Sequence, residues 1–227
     1  MKKKKPRAKS YQEINRALDA ALAKRGEPKL TFRKGISASA RAAEERRARK
    51  RATTLPARYE STNTGKKVFP FDPRPEQICI EDIAHGLSML CRFSGQCPYF
   101  YSVAEHSIYL VHFLPDNLQL EGLLHDASEA YLADLPRPVK AGLPEYKAIE
   151  ARVERVIAEK LGLPFPMAPE VKAADQALLK HEVFSFFGAE RYFEDFGEEY
   201  TGAGVALAGM SPGYAERRFL DLYASWA

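Results

Sequence analysis

The feature that most constrains the fold of this chain is its punctuation. From residue 76 onward, apolar residues recur every three or four positions, and proline and glycine divide them into runs. Residues 76–93 place Ile80, Ile83, Ala84, Leu87 and Leu90 at helical spacing. Ser102-Val103-Ala104-Glu105 is a capping-box pattern, so a helix is predicted to start there and run to about residue 114. Pro115-Asp116-Asn117 breaks it and caps a helix over 118–132. Pro144 precedes a helix over 145–161 that Gly162 closes. Pro169 opens another to about residue 187, closed by Gly188, and Ser211-Pro212 opens a terminal helix to about residue 226. Upstream, Thr64-Gly65-Lys66-Lys67 reads as a turn. The stretch Phe69-Pro70-Phe71-Asp72-Pro73-Arg74-Pro75 is too rich in proline for a helix or a central strand. Alternating strand patterns are nearly absent, so the predicted fold class is all-α.

Charge divides the chain differently. Residues 1–60 hold 19 Lys/Arg against 6 Asp/Glu, whereas residues 61–227 hold 15 against 24. The first segment, from Lys2-Lys3-Lys4-Lys5 to the run Arg41–Arg51, has too little apolar surface to offset chain entropy. It is expected to be a flexible or partly helical basic extension, partly disordered, ahead of a core domain over 61–227. Two readings stay open for it: a solvated tail, or an arm contacting nucleic acid, a polyanionic substrate or a neighbouring subunit. No apolar stretch is long enough to span a bilayer, and no apolar h-region follows the lysines, so neither membrane insertion nor a secretory signal is expected. Cys79, Cys91 and Cys97 form no CxxC pair and fit reduced thiols, which suits a cytoplasmic protein.

Four side chains stand where apolar ones are expected. His106 lies on the stripe of Val103, Leu110 and Leu114, and the pair His125-Asp126 sits inside Gly122-Leu123-Leu124-His125-Asp126-Ala127. Asp175 lies between Ala174 and Leu178, one turn after Val171. Burying a carboxylate is costly unless a partner compensates it. Two imidazoles and two carboxylates suit a divalent first-row metal with open positions. From the residues alone, a buried His/Asp hydrogen-bond network is an equal alternative. His85, His112 and His181 read as structural.

At these positions the sequence resembles the HD superfamily of metal-dependent phosphohydrolases, whose pattern H…HD…D is met by His106, His125-Asp126 and Asp175. Arg92-Phe93, the Ser102–Ser107 segment, His125-Asp126-Ala127-Ser128-Glu129 and Asp134-Leu135-Pro136-Arg137-Pro138-Val139-Lys140 are similar to one branch. That branch comprises the bacterial 5′-deoxynucleotidases and the phage-type deoxynucleoside triphosphate hydrolases. The resemblance covers about residues 64–185 and implies an HD-domain helical bundle. It implies His106, His125, Asp126 and Asp175 as ligands of a divalent ion (Co²⁺, Mn²⁺, Zn²⁺ or Mg²⁺) and a nucleotide as substrate. Glu129 is then the general base or water-orienting group, placed on one helical face with His125 and Asp126, and Asp134 is the second catalytic acid. Arg92 becomes the phosphate-binding arginine, Phe93 a base or sugar contact, and Arg137 and Lys140 further phosphate contacts. The family also contains dimers, so a homo-oligomer belongs to what the resemblance implies. Two alternatives compete. One is an HD hydrolase of an alarmone or cyclic nucleotide, against which Ala130 after Glu129 argues. The other is a non-catalytic nucleic-acid-binding protein, for which no base-reading motif is evident.

Overall fold

The computed structural model describes residues 59–202 and 205–227. The basic extension predicted over 1–60 thus lies outside the described residues, apart from its last two positions. The described chain is all-α with one small hairpin: β1 (Glu60–Ser61), β2 (Lys67–Val68), α1 (Ile80–Met89), α2 (Val103–Leu110), α3 (Gln119–Leu123), α4 (Glu129–Leu132), α5 (Arg137–Ala141), α6 (Pro144–Leu161), α7 (Pro169–Phe196) and α8 (Pro212–Trp226). The strands pair antiparallel, with Glu60 opposite Val68 and Ser61 opposite Lys67. The turn expected at Thr64–Lys67 joins them, and Gly65 takes the left-handed conformation it needs, at φ +82°. Asp82 pins this hairpin to α1 by accepting from the Thr64 backbone N–H at 2.8 Å and from its hydroxyl at 2.7 Å.

Helix α2 is the centre of the fold. All eight of its residues are buried, and α1, α3, α7 and α8 pack around it. One core cluster joins Ile83, Leu87, Val103, Ile108, Leu123, Val153 and Phe219. The second joins Tyr101, Tyr109, Leu110, Leu114, Val171 and Leu178, so α2 supplies both. Its N-terminus has half of the predicted capping box. The Ser102 hydroxyl accepts from the Glu105 N–H at 3.0 Å. The Glu105 carboxylate does not reach back; it accepts the N–H groups of Gly209 at 2.9 Å and Met210 at 2.7 Å.

Four boundaries differ from the pattern reading. The helix expected over 76–93 is confined to α1, because Ile78, Cys79 and Leu90 are extended. The helix expected to about 114 ends at Leu110, and a 3₁₀ turn continues it over Val111–Phe113. The single helix expected over 118–132 is cut between α3 and α4. The His125 backbone N–H and its Nδ1–H both donate to the Gly122 carbonyl, at 3.3 and 2.8 Å. That carbonyl is the acceptor Asp126 would need to continue an α-helix. The next turns close with i→i−3 bonds, from Ala127 to Leu124 and from Glu129 to Asp126. The Asp134–Lys140 stretch, read as a loop, ends in the short helix α5. As expected, Gly188 at φ +86° and ψ 174° ends the first helical stretch of α7, and a second stretch follows it to Phe196, stopped by Gly197.

Candidate metal centre and its cleft

Three elements bring the candidate ligands together. His106 projects from α2, His125 and Asp126 from the tightened turn between α3 and α4, and Asp175 from α7. Donor atoms of His106, His125 and Asp126 lie within 4.8 Å of one another, close enough to hold one metal ion. Asp175 stands outside that group of three, with its Oδ1 3.3 Å from His106 Nε2.

Each imidazole is oriented by its other nitrogen. The His125 Nδ1–H donates to Gly122 O at 2.8 Å, and the His106 Nδ1–H to the Glu182 carboxylate at 2.5 Å. Both Nε2 atoms therefore turn toward the cluster. Both are buried and make no aligned hydrogen bond, although carboxylate oxygens stand 3.3 and 2.9 Å away. Two oriented imidazoles and the Asp126 carboxylate form a group that can hold a metal ion, with Asp175 beside His106.

The electrostatics separate the acids. Burial alone would raise Asp126, but the His125 imidazole, with His106 and Arg92, holds it well below the usual carboxylate range. Asp175 is likewise lowered, against burial, by its contact with His106. Glu129 goes the other way: burial, then the nearby Asp126 and Asp134 carboxylates, push it up to about 10. Its Oε2 is buried without a partner. Asp134 is raised by burial, with Arg92 partly offsetting the effect.

All six remaining candidates, Arg92, Phe93, Glu129, Asp134, Arg137 and Lys140, line one cleft with Asp126 and Asp175, of about 1250 Å³. Its opposite wall is apolar, formed by Leu179, Val183, Phe186 and Phe187. The cations are already engaged. Arg92 donates to Glu182 at 3.0 Å and lies 3.6 Å from Asp126, leaving its buried Nε–H unpartnered. Arg137 donates to Asp175 and to Gln176, both at 3.3 Å. Lys140 pairs with Glu150 and stands 3.8 Å from Glu129. Phe93 meets Phe186 and Phe187 edge-on, at 6.0 and 5.4 Å between ring centroids. Phe93 and Ser94 both have φ near +52°, strained for side-chain-bearing residues.

Glu182 is the functional residue that the sequence reading missed. It lies seven residues after Asp175, two turns along the same face of α7. That spacing was the available signal. The other three histidines stand apart from the cluster. His181 bridges Tyr200 and the Val205 carbonyl at 2.8 and 2.6 Å, His85 meets Glu216 at 3.2 Å, and His112 is exposed. The three cysteines are free thiols. Among the described residues, no helix is long and apolar enough to cross a membrane.

No family model matches the chain. Two bacterial relatives do. The uncharacterized protein YfdR of Escherichia coli (strain K12) is 43% identical over 124 residues, covering 55% of this chain and 70% of its own length. The uncharacterized protein RCAP_rcc00048 of Rhodobacter capsulatus is 36% identical over 149 residues, covering 57% of this chain and 76% of its own.

Proposed function

We propose, for a chain that belongs to the family of YfdR and RCAP_rcc00048, a metal-dependent phosphohydrolase that cleaves a (deoxy)nucleotide phosphate ester. The observation that carries this reading is the pair of oriented imidazoles, His106 and His125, with buried, unengaged Nε2 atoms beside Asp126 and Asp175. The HD-superfamily resemblance of the sequence supports it independently.

In this reading His106, His125, Asp126 and Asp175 hold the ion. A bound divalent cation polarises a phosphoryl oxygen and lowers the pKa of water, which makes hydrolysis accessible at neutral pH. The protein positions the rest. Arg92 is locked by Glu182 and Asp126 at the cleft lining, where its positive charge attracts a phosphate. Glu129 Oε2, once ionised, takes the proton of the attacking water. Attack forms a new P–O bond opposite the ester oxygen, and the P–O bond to the nucleoside breaks. Asp134, whose pKa is raised by burial, serves the leaving-group side. Arg137 and Lys140 add positive charge at the cleft edge, and Phe93 and Phe187 offer flat faces to sugar or base.

The test is a panel of ribo- and deoxynucleoside mono- and triphosphates, with an alarmone and a cyclic nucleotide, assayed with Co²⁺, Mn²⁺, Zn²⁺ or Mg²⁺ and resolved by chromatography. Phosphate or polyphosphate release from deoxynucleotides is expected. Asp126→Ala is expected to abolish it while far-UV circular dichroism stays helical. A metal-loaded protein that hydrolyses none of the panel overturns the proposal.

A further inference from the structure

Glu182 has no counterpart among the residues that the resemblance brings forward, yet it is the most heavily engaged carboxylate near the cleft. It is fully buried, on α7, one residue from the end of the Asp175–His181 stretch. Its Oε1 accepts from His106 Nδ1–H at 2.5 Å and from the Tyr101 hydroxyl at 2.8 Å. Its Oε2 accepts from the Arg92 guanidinium at 3.0 Å. Tyr101 and Arg92 lie on either side of the left-handed turn that carries Phe93, and their backbones are joined by an Arg92 N–H to Tyr101 O bond of 2.9 Å. One carboxylate thus touches the first ligand histidine, the candidate phosphate arginine and the strand-like pair that bases their turn.

Resting on the metal-site reading above, we propose that Glu182 is a positioning residue that serves both halves of the site at once. By accepting from Nδ1–H, it fixes His106 in the tautomer whose Nε2 lone pair faces the cluster. By accepting from Arg92, it fixes the guanidinium beside Asp126 at the cleft lining. Metal affinity and phosphate recognition are therefore coupled through a residue that reaches neither metal nor substrate.

The experiment uses the full-length chain and needs no substrate for its first readout. Calorimetric titration with Co²⁺ alone is expected to give affinity 10–100-fold weaker for Glu182→Gln than for the unmodified protein. Tyr101→Phe, which removes a neighbouring bond but leaves the carboxylate, is expected to stay within about twofold. With deoxynucleotide as substrate at saturating metal, Glu182→Gln is expected to raise KM about tenfold or more through the freed arginine. Equal Co²⁺ affinity for Glu182→Gln and the unmodified protein overturns the proposal, and so does an equal loss in Tyr101→Phe, which marks general loosening. Should Glu182→Gln fail to fold, ¹⁵N-resolved NMR of the zinc-loaded unmodified protein decides. A retained His106 Nδ1 proton supports the proposal, and coordination through Nδ1 overturns it. If the unmodified protein binds no Co²⁺ or Zn²⁺ at all, the metal-site reading fails along with it, an outcome distinct from the others.

Discussion

Burial and the neighbouring Asp126 and Asp134 carboxylates raise Glu129 to about 10, which makes it a source of pH-dependent stability. The folded protein holds Glu129 protonated, whereas the unfolded chain ionises it near its ordinary value. Its contribution to stability is therefore full at acid pH and declines as pH rises from about 5 toward 10. Glu129→Gln is expected to make the metal-free protein more stable than the unmodified one at pH 8, by about 1 kcal/mol or more, with the gap closing near pH 5. Thermal melts across that range in the presence of a chelator check it. The same variant is expected to lose 10²–10⁴-fold in kcat. It is also expected to release fewer protons on metal binding, read by calorimetry in buffers of different ionisation enthalpy. A second residue-scale outcome concerns Gly122, whose carbonyl receives both N–H groups of His125. A methyl at Gly122 would sit 2.1 Å from Leu114 Cδ1 in the core. Gly122→Ala is expected to cost about 1–3 kcal/mol in denaturant unfolding.

Helix α7 is the element on which the cleft depends. Its first half carries Asp175 and Glu182, and the half beyond the Gly188 kink brings Arg191, Asp195 and Phe196 to the cleft lining. The backbone at Gly188, φ +86° and ψ 174°, is open to glycine alone. Gly188→Ala is expected to destabilise the protein by about 1–3 kcal/mol and to raise KM severalfold, with Co²⁺ affinity unchanged, because all four ligands precede the kink or lie elsewhere. Steady-state kinetics beside metal titration separate the two effects. Gly162 and Gly188 were both legible as helix ends, whereas the helical stretch that resumes after Gly188 was not. The His106, His125, Asp126 and Asp175 set was legible because each stands among apolar neighbours. Glu182 was not, because its inward face depends on contacts to Arg92 and Tyr101, both some eighty or more residues away. The break between α3 and α4 was hidden for a related reason: a side chain, His125 Nδ1, takes a backbone acceptor, and propensity is blind to that.

For the molecule as a whole, the core clusters close around α2 without using the ligand atoms, so the metal-free chain is expected to stay folded and helical. Cobalt at about 100 times its dissociation constant then adds about 2.7 kcal/mol. That corresponds to a rise in Tm of about 5–10 °C, reversed by a chelator and checked by differential scanning calorimetry. Acid works oppositely on the buried pair of Arg92 and Glu182. The guanidinium, with His106 and Tyr101, holds Glu182 down at about 2 against burial. Its stabilisation is present above the ordinary carboxylate range and is lost as pH falls toward about 2. The bond between Glu105 and the amides of Gly209 and Met210 has a consequence for how the protein is made. The helix bearing His106 is tethered to the strand of chain just ahead of α8, and α8 buries Ala215 and Phe219 against the same core. Every candidate ligand has left the ribosome once residue 175 emerges, but the helix that aims the first of them is secured only after about 35 more residues have been synthesised. A nascent chain halted at residue 208 therefore contains all four candidate ligands but lacks the two amides that hold Glu105.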